Sequence, residues 1–160
     1  MMSYRWAKDT HTFRVDEQRN CLEGIFDGDA SLTSSVCYSD HIAYEPGENI
    51  LMPDGVWAQE GYMTTNPTRQ GLGYMLSFAA ASVAIRDRVN FIYISSGSID
   101  GGGSALIKKL GGKLNMDLEF RTSKGNSVKL PGYLIRTNDM IKLSAEGWQN
   151  KGWKLMEARD

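Results

Sequence analysis

Residues 66–73 read Asn-Pro-Thr-Arg-Gln-Gly-Leu-Gly, and they decide how this chain is expected to fold. Before them, residues 56–65 have the composition of a β-strand, and Asn66-Pro67 predicts a turn. After them, apolar residues recur at helical spacing and form one face, made by Leu72, Met75, Leu76, Ala79, Ala80 and Val83. The segment therefore predicts a strand, a glycine-containing turn and a long helix.

Further elements are expected on both sides of this segment. A near-continuous apolar run predicts a buried strand at 91–95, and a Gly-rich loop separates it from a short helix at 104–110. Residues 27–49 fit either a short helix capped by Asp29 or a loop, and the tail, 140–160, fits a closing strand or a helix. Other strands are expected at 12–15, 21–26, 114–121 and 132–137.

This order of elements predicts an α/β (α+β) fold with a mixed, mostly antiparallel central sheet and helices on both faces. The chain has 160 residues, and no linker-like stretch divides it, so residues 1–160 are expected to form a single domain.

Bulk composition narrows the class of protein. The formal net charge is −1, from 18 basic and 19 acidic residues, which excludes a global basic field for nucleic acid. The sequence contains no apolar run long enough for a transmembrane helix. Two cysteines, Cys21 and Cys37, fit no metal-ligand spacing, and we interpret them as reduced rather than as one disulfide. A cytoplasmic protein that binds no membrane is expected.

The Gly-x-Gly turn suits an anion. The first turn of a helix presents unpaired N–H groups, and Gly71 and Gly73 remove side chains that would keep a phosphate away. Arg69 adds a charge-assisted donor. The turn lacks the Lys-Ser/Thr of a Walker loop and the third glycine of a dinucleotide fingerprint. Taken alone, the pattern fits an ordinary tight turn equally well.

The combination of two motifs is more specific. Residues 66–73 with the following helix resemble motif A of the GNAT acetyltransferase superfamily, whose pattern is Gln/Arg-x-x-Gly-x-Gly/Ala. Ser104-Ala-Leu-Ile-Lys-Lys-Leu-Gly-Gly112 resembles the family's Ala-x-x-Leu-Tyr-x-Lys-Leu-Gly-Phe helix. The resemblance covers residues 56–137, and the family's opening helices are not visible in the first 50 residues.

The resemblance implies an acetyl-coenzyme A site. Backbone amides of motif A would hold the pyrophosphate, and main-chain groups of residues 63–65 would meet the pantetheine arm and the acyl oxygen. The implied cofactor-binding residues are Met63, Thr64, Thr65, Arg69, Gln70, Gly71, Leu72, Gly73 and Ser104. Three departures stand out: Thr68 and Gly112 replace preferred residues, and Ile107 replaces the tyrosine that protonates the departing thiolate.

Candidate catalytic residues follow from the same resemblance. Glu60 is the candidate base for an amine acceptor, or else a solvent-facing carboxylate. Asp100 is a candidate in the loop where substrate and cofactor meet, or else the N-cap of the following helix. Tyr93 is a candidate for the missing acid, as is Tyr62, since the two tyrosines lie on the strands that splay apart in this family; either could instead be a packing residue.

The expected function is transfer of an acetyl or similar acyl group from acetyl-coenzyme A to an amine acceptor, by direct transfer and without a metal. His11 and His41 are separated and lack companion ligands. Two alternatives stay open: a coenzyme A-binding domain with impaired catalysis, and a nucleic-acid-modifying member of the fold, for which Trp148 and Trp153 among lysines are the hint. Packing of these indoles on the sheet is the favoured interpretation. A homodimer through edge strands is also compatible with the resemblance.

Overall fold

The computed structural model describes residues 1–98 and 101–160. The chain begins with an antiparallel meander in which each strand alternates buried and exposed side chains, as expected for strands with one face on a core. A separate hairpin follows the meander. These strands are β1 (Ser3–Lys8), β2 (His11–Gln18), β3 (Cys21–Phe26), β4 (Asp29–Ser39), β5 (His41–Glu45) and β6 (Glu48–Leu51).

The central part of the chain contains the strand, turn, helix and strand that the sequence predicts. A short 3-10 turn and a second helix come next, followed by short strands, a third helix and a last strand. The elements are β7 (Val56–Thr64), α1 (Leu72–Arg86), β8 (Phe91–Ser95), α2 (Gly101–Lys109), β9 (Lys113–Asn115), β10 (Glu119–Arg121), β11 (Ser127–Lys129), β12 (Gly132–Arg136), α3 (Thr137–Asn150) and β13 (Lys154–Arg159).

Nine of these strands form one sheet in the order β13-β1-β2-β3-β4-β7-β8-β12-β9. Every pair in it is antiparallel except β7 and β8, which are parallel because α1 carries the chain back between them. The predicted α+β class with a mixed, mostly antiparallel sheet is therefore confirmed. The tail, for which a helix or a closing strand was predicted, forms both: the helix α3 and then the strand β13, which pairs with β1.

The two faces of the sheet are covered differently. Buried residues of α1, α2 and α3 join one hydrophobic cluster with Ile92 and Ile94 of β8. Tyr93, between those two isoleucines, faces the opposite side, where it packs with Ile50 and Phe120 from the two small hairpins. The prediction of helices on both faces is wrong, because the hairpins β5–β6 and β10–β11 bury the second face in place of helices.

Residues 27–49 form strands rather than the short helix or loop that their Ser and Thr content allowed. The longest of these strands is β4, with 11 residues, and it pairs with β3 on one side and β7 on the other. Long-range pairing thus overrides a weak local preference.

The two cysteines face each other across this pairing. Cys21 of β3 is opposite Cys37 of β4, and a disulfide joins them. The interpretation of two reduced cysteines is wrong for this structure, because strand register brings together two residues whose spacing carried no recognisable pattern.

Candidate functional site

A gap opens in the sheet between the two parallel strands. β7 and β8 pair only over their first residues, where Val56, Trp57 and Ala58 are opposite Phe91, Ile92 and Tyr93. Beyond them β7 continues to Thr64 paired with β4 only, and β8 continues to Ser95 paired with β12 only. The carboxyl-terminal halves of the two parallel strands therefore diverge, at the edge of an α/β unit where ligands commonly bind.

A β-bulge shapes the β7 side of the gap. Between the Glu60–Cys37 and Thr64–Ser35 pairs, residues 61–63 of β7 lie opposite Val36 alone. Gly61 adopts a left-handed φ of 64°, and the buried Gln59 side chain donates a hydrogen bond of 2.9 Å to its carbonyl oxygen. Bulges of this kind redirect side chains. Here Tyr62 and Met63 are directed to the wall of the gap.

The gap contains a narrow cleft on the helix face of the sheet, with a volume of about 50 Å³. Its walls come from both strands, the three helices and β12, and they are mostly apolar. The lining residues are Gln59, Tyr62, Met63, Ser77, Ile94, Gly103, Leu106, Ile107, Leu110, Ile135 and Met140. None of these residues is charged, so the cleft suits a slender, uncharged group.

One polar atom in this lining is left unsatisfied. Ser77 is fully buried on α1, and its Oγ has no hydrogen-bond partner among the described residues. Buried hydroxyl groups in native proteins are nearly always paired, so an orphan beside a cleft points to a missing partner.

The start of α1 lies beside the mouth of the cleft. A Cβ atom on Gly73 would come within 2.9 Å of a Leu106 methyl group and 3.7 Å of the Met63 sulfur, and both residues line the cleft. Gly73 is therefore needed for the close approach of α1 and α2. Within the described chain, no side chain caps the helix start, and the N–H groups of Leu72 and Gly73 have no acceptor.

The turn before α1 is fixed by its own geometry and by the tail. Gly71 caps the helix at φ 84° and ψ 10°, in the left-handed region, and Arg69 also has a positive φ of 62°. The carbonyl oxygen of Gln70 accepts a hydrogen bond of 2.8 Å from the Trp153 indole.

Basic residues contribute to this helix start. A Cβ on Gly71 would lie 3.2 Å from Cγ of Lys151, so the aliphatic part of that lysine packs directly over the turn, to which the exposed Arg69 also belongs. The Lys8 side chain approaches Gly152, the next residue. Lys151 was not among the predicted site residues. No sequence signal pairs it with Gly71, whereas Ser77, a serine within the apolar face of a predicted helix, is visible in the sequence.

The predicted cofactor residues lie in one region. Met63 is in the cleft wall, and Arg69 through Gly73 form the turn and helix start. The Thr64 hydroxyl lies 3.2 Å from that of Ser35, at the end of β7. Thr65 follows it, half-buried, and Ser104 is half-buried on α2, the helix that borders the cleft.

The two predicted catalytic residues that the structure describes, Glu60 and Tyr93, lie on the sheet face opposite the helices. Glu60 is exposed on the face opposite the helices, since it lies two residues beyond Ala58 on β7. Tyr93 is buried on that same face, and its hydroxyl donates to the carbonyl oxygens of Leu130 and Pro131, 3.0 and 3.1 Å away. Burial raises the Tyr93 pKa to about 12. Asp100 lies outside the described residues.

A hydroxyl at the mouth of the cleft comes from the other tyrosine. Tyr62 is exposed, lines the cleft, and holds its hydroxyl 3.5 Å from the carbonyl oxygen of Gly97, which follows β8. The side chain therefore spans the gap between the diverging strands. Ile107, in the place of the expected tyrosine, is buried in the same lining.

A larger cavity of about 350 Å³ lies at the other end of α1, lined mainly by polar residues near Glu17, Tyr38 and Asp87. Arg86 already binds two of the carboxylates there, through Nη1 to Glu17 at 2.7 Å and Nε to Asp87 at 2.9 Å. This cavity does not contact the Gly-x-Gly turn, and the cleft is the candidate site.

Within residues 1–98 and 101–160, no three His, Cys, Asp or Glu side chains are grouped so that they could hold a metal ion. No helix in the same part of the chain is long and apolar enough to cross a membrane. A comparison of the chain with protein-family models found no match. A comparison with curated protein sequences also found none.

Proposed function

We propose that this protein is an acyltransferase with a GNAT-like fold, which moves an acetyl or similar short acyl group from acetyl-coenzyme A to an amine. The observation that carries the proposal is the uncharged cleft between the diverging halves of β7 and β8, which opens beside the start of α1. The negative charge of a pyrophosphate matches the helix start, and the slender pantetheine arm joined to it matches the narrow, uncharged cleft.

The residues present fit such a cosubstrate. The N–H groups of Leu72 and Gly73 are available for phosphate oxygens, and Arg69 and Lys151 would add positive charge. Met63, Ile94 and Leu106 would contact the arm in the cleft. Coenzyme A thioesters supply an activated acyl group, so the protein would contribute mainly binding and orientation.

The acceptor is expected on the face away from the helices. Glu60 is exposed there and is our candidate for the group that accepts a proton from the attacking amine. Tyr62 is a better candidate than Tyr93 for the proton donor to the leaving thiolate, because the Tyr93 hydroxyl is already hydrogen-bonded to two carbonyl oxygens.

A second candidate function is coenzyme A binding without efficient transfer. The apolar Ile107 in the cleft wall favours it, since that position supplies no acid. Thiol release assayed over a panel of amines would separate the two functions. Turnover with any amine would support the transferase, and tight binding without turnover would support the second candidate.

The two tryptophans that favoured a nucleic-acid-modifying role do not support it. Trp148 and Trp153 are buried in the hydrophobic core, as the favoured interpretation of these residues expected, and buried indoles cannot stack on bases.

Isothermal titration with acetyl-coenzyme A tests the proposal. Micromolar binding is expected for the native chain, with affinity about tenfold weaker in Arg69→Ala and in Lys151→Ala, because each loses a charge-assisted contact. Lys129→Ala is the matched control, since this exposed lysine lies on the β10–β11 hairpin. Absence of binding at millimolar ligand would overturn the proposal.

A further inference from the structure

The buried hydroxyl of Ser77 is the least satisfied polar group of the cleft. A second serine on the same helix shows the usual arrangement: the Ser82 hydroxyl donates to the carbonyl oxygen of Phe78, four residues earlier, at 2.9 Å. Ser77 makes no equivalent bond among the described residues, although Gly73 occupies the corresponding position. Its donor is therefore unused.

The surroundings of Ser77 restrict what can use that donor. The neighbouring lining includes Ile94, Ile135 and Met140, all buried, and contains no charged side chain. A carboxylate or an ammonium group placed there would lose its hydration without finding a counter-ion. A neutral acceptor on a slender aliphatic chain meets the requirement, and a carbonyl oxygen is the simplest such acceptor.

We propose that Ser77 donates a hydrogen bond to a carbonyl oxygen of the molecule in the cleft, which is either an amide of the arm or the thioester carbonyl. This inference rests on the proposed function. It adds that the acyl group is uncharged, because the lining offers no cation to a terminal carboxylate. Malonyl- and succinyl-coenzyme A are therefore expected to bind more weakly than acetyl-coenzyme A.

Removing the hydroxyl should have opposite effects on the free and the bound protein. In Ser77→Ala the unsatisfied group is lost, so the melting temperature of the free protein should stay equal or rise, by about 2 °C. The affinity for acetyl-coenzyme A should fall about tenfold, because the hydrogen bond to the ligand is lost. A serine with only a packing role would not combine these two results.

Ser82→Ala is the matched control, since it removes the same group from the same helix at a position outside the cleft lining. Its affinity should equal that of the native chain. Ser77→Cys keeps a donor at the same position, although the sulfur is larger and a weaker donor than oxygen, and an intermediate affinity is expected. This variant also keeps the test available if Ser77→Ala folds poorly.

Two ligands identify the carbonyl. If Ser77→Ala weakens the binding of both free coenzyme A and acetyl-coenzyme A, the hydrogen-bond acceptor is an amide of the pantetheine arm. If it weakens the binding of acetyl-coenzyme A only, the hydrogen-bond acceptor is the thioester carbonyl. Unchanged affinity for both ligands would overturn the role of Ser77 and leave the proposed function intact, whereas a native chain that binds neither ligand would overturn the proposed function itself.

Discussion

The indole Nε1 of Trp153 donates a hydrogen bond of 2.8 Å to the carbonyl oxygen of Gln70, across 83 residues of sequence. Trp153, which directly precedes β13, thereby holds the turn that begins α1. Trp148, on α3, is also buried, but its indole N–H has no partner among the described residues. The two tryptophans therefore form a natural comparison.

Trp153→Phe should destabilise the protein more than Trp148→Phe. Both changes shrink a buried side chain, but only the first removes a hydrogen bond and leaves the Gln70 carbonyl oxygen without its donor, which costs about 1–2 kcal/mol more. Urea denaturation measures the difference. Equal losses in the two variants would show that the hydrogen bond contributes nothing to the turn.

Gly71→Ala should weaken the binding of acetyl-coenzyme A, and Gly125→Ala should leave it unchanged. Both glycines have a left-handed φ, 84° and 82°, so each alanine costs about 1–2 kcal/mol of stability. At Gly71 the new methyl group also approaches Lys151, whereas Gly125 has open space around it on an exposed turn. Thermal unfolding and titration calorimetry test the two effects separately. Unchanged affinity in Gly71→Ala would argue against phosphate binding at this turn.

Tyr93→Phe should reduce stability without reducing affinity for acetyl-coenzyme A. The change keeps the ring against Phe120 but removes the donor for the Leu130 and Pro131 carbonyl oxygens, at a cost of about 1–2 kcal/mol. Tyr62→Phe should have the reverse profile, with normal stability and slower thiol release once an acceptor is found. A normal rate in Tyr62→Phe would exclude it as the proton donor.

Glu17 should make stability depend on pH. Hydrogen bonds from Arg86 hold the pKa of Glu17 below its usual value of 4.5. A lowered folded-state pKa means that the contribution is fully present above about pH 4.5 and is lost as the pH falls through the folded-state pKa. Since Arg86 is 43% exposed, we expect about 1 kcal/mol at pH 7.

Chemical denaturation of Glu17→Gln at pH 7 and at pH 3 measures this effect. The difference in unfolding free energy between Glu17→Gln and the native chain should be smaller at pH 3 than at pH 7, because the stabilisation by ionised Glu17 decreases as the pH falls below 4.5. Glu146→Gln, at an exposed position on α3, should show no gap at either pH. A gap for Glu17→Gln that persists unchanged at pH 3 would contradict the role of its charge.

Local sequence signals account for the central part of the fold. The strand, turn, helix and strand between residues 56 and 95 were predictable because apolar spacing and glycine placement act over short distances. By contrast, β4 was not recognised, since its Ser- and Thr-rich sequence becomes a strand through pairing with β3 and β7. The covering of the second face by hairpins depends equally on long-range contacts.

The candidate site likewise has a part that local sequence signals predict and a part that depends on long-range contacts. The glycines of the turn were visible in the sequence, but the cleft arises where β7 and β8 stop pairing, and this is a property of the sheet. Lys151 reaches Gly71 only through the path of α3 and the turn after it. Periodicity within a window cannot report such contacts.

The pairing of β1 with β13 has a consequence for the order of folding. Ser3 is opposite Arg159, so this contact closes a loop of most of the chain, whereas β7, α1 and β8 are neighbours in sequence. Contacts between distant residues form late, because closing a long loop costs more chain entropy. The β7–α1–β8 unit should therefore assemble early, and the turn at Gly71 should gain Trp153 and Lys151 in the last step, so that ligand-binding competence would appear after most of the secondary structure has formed.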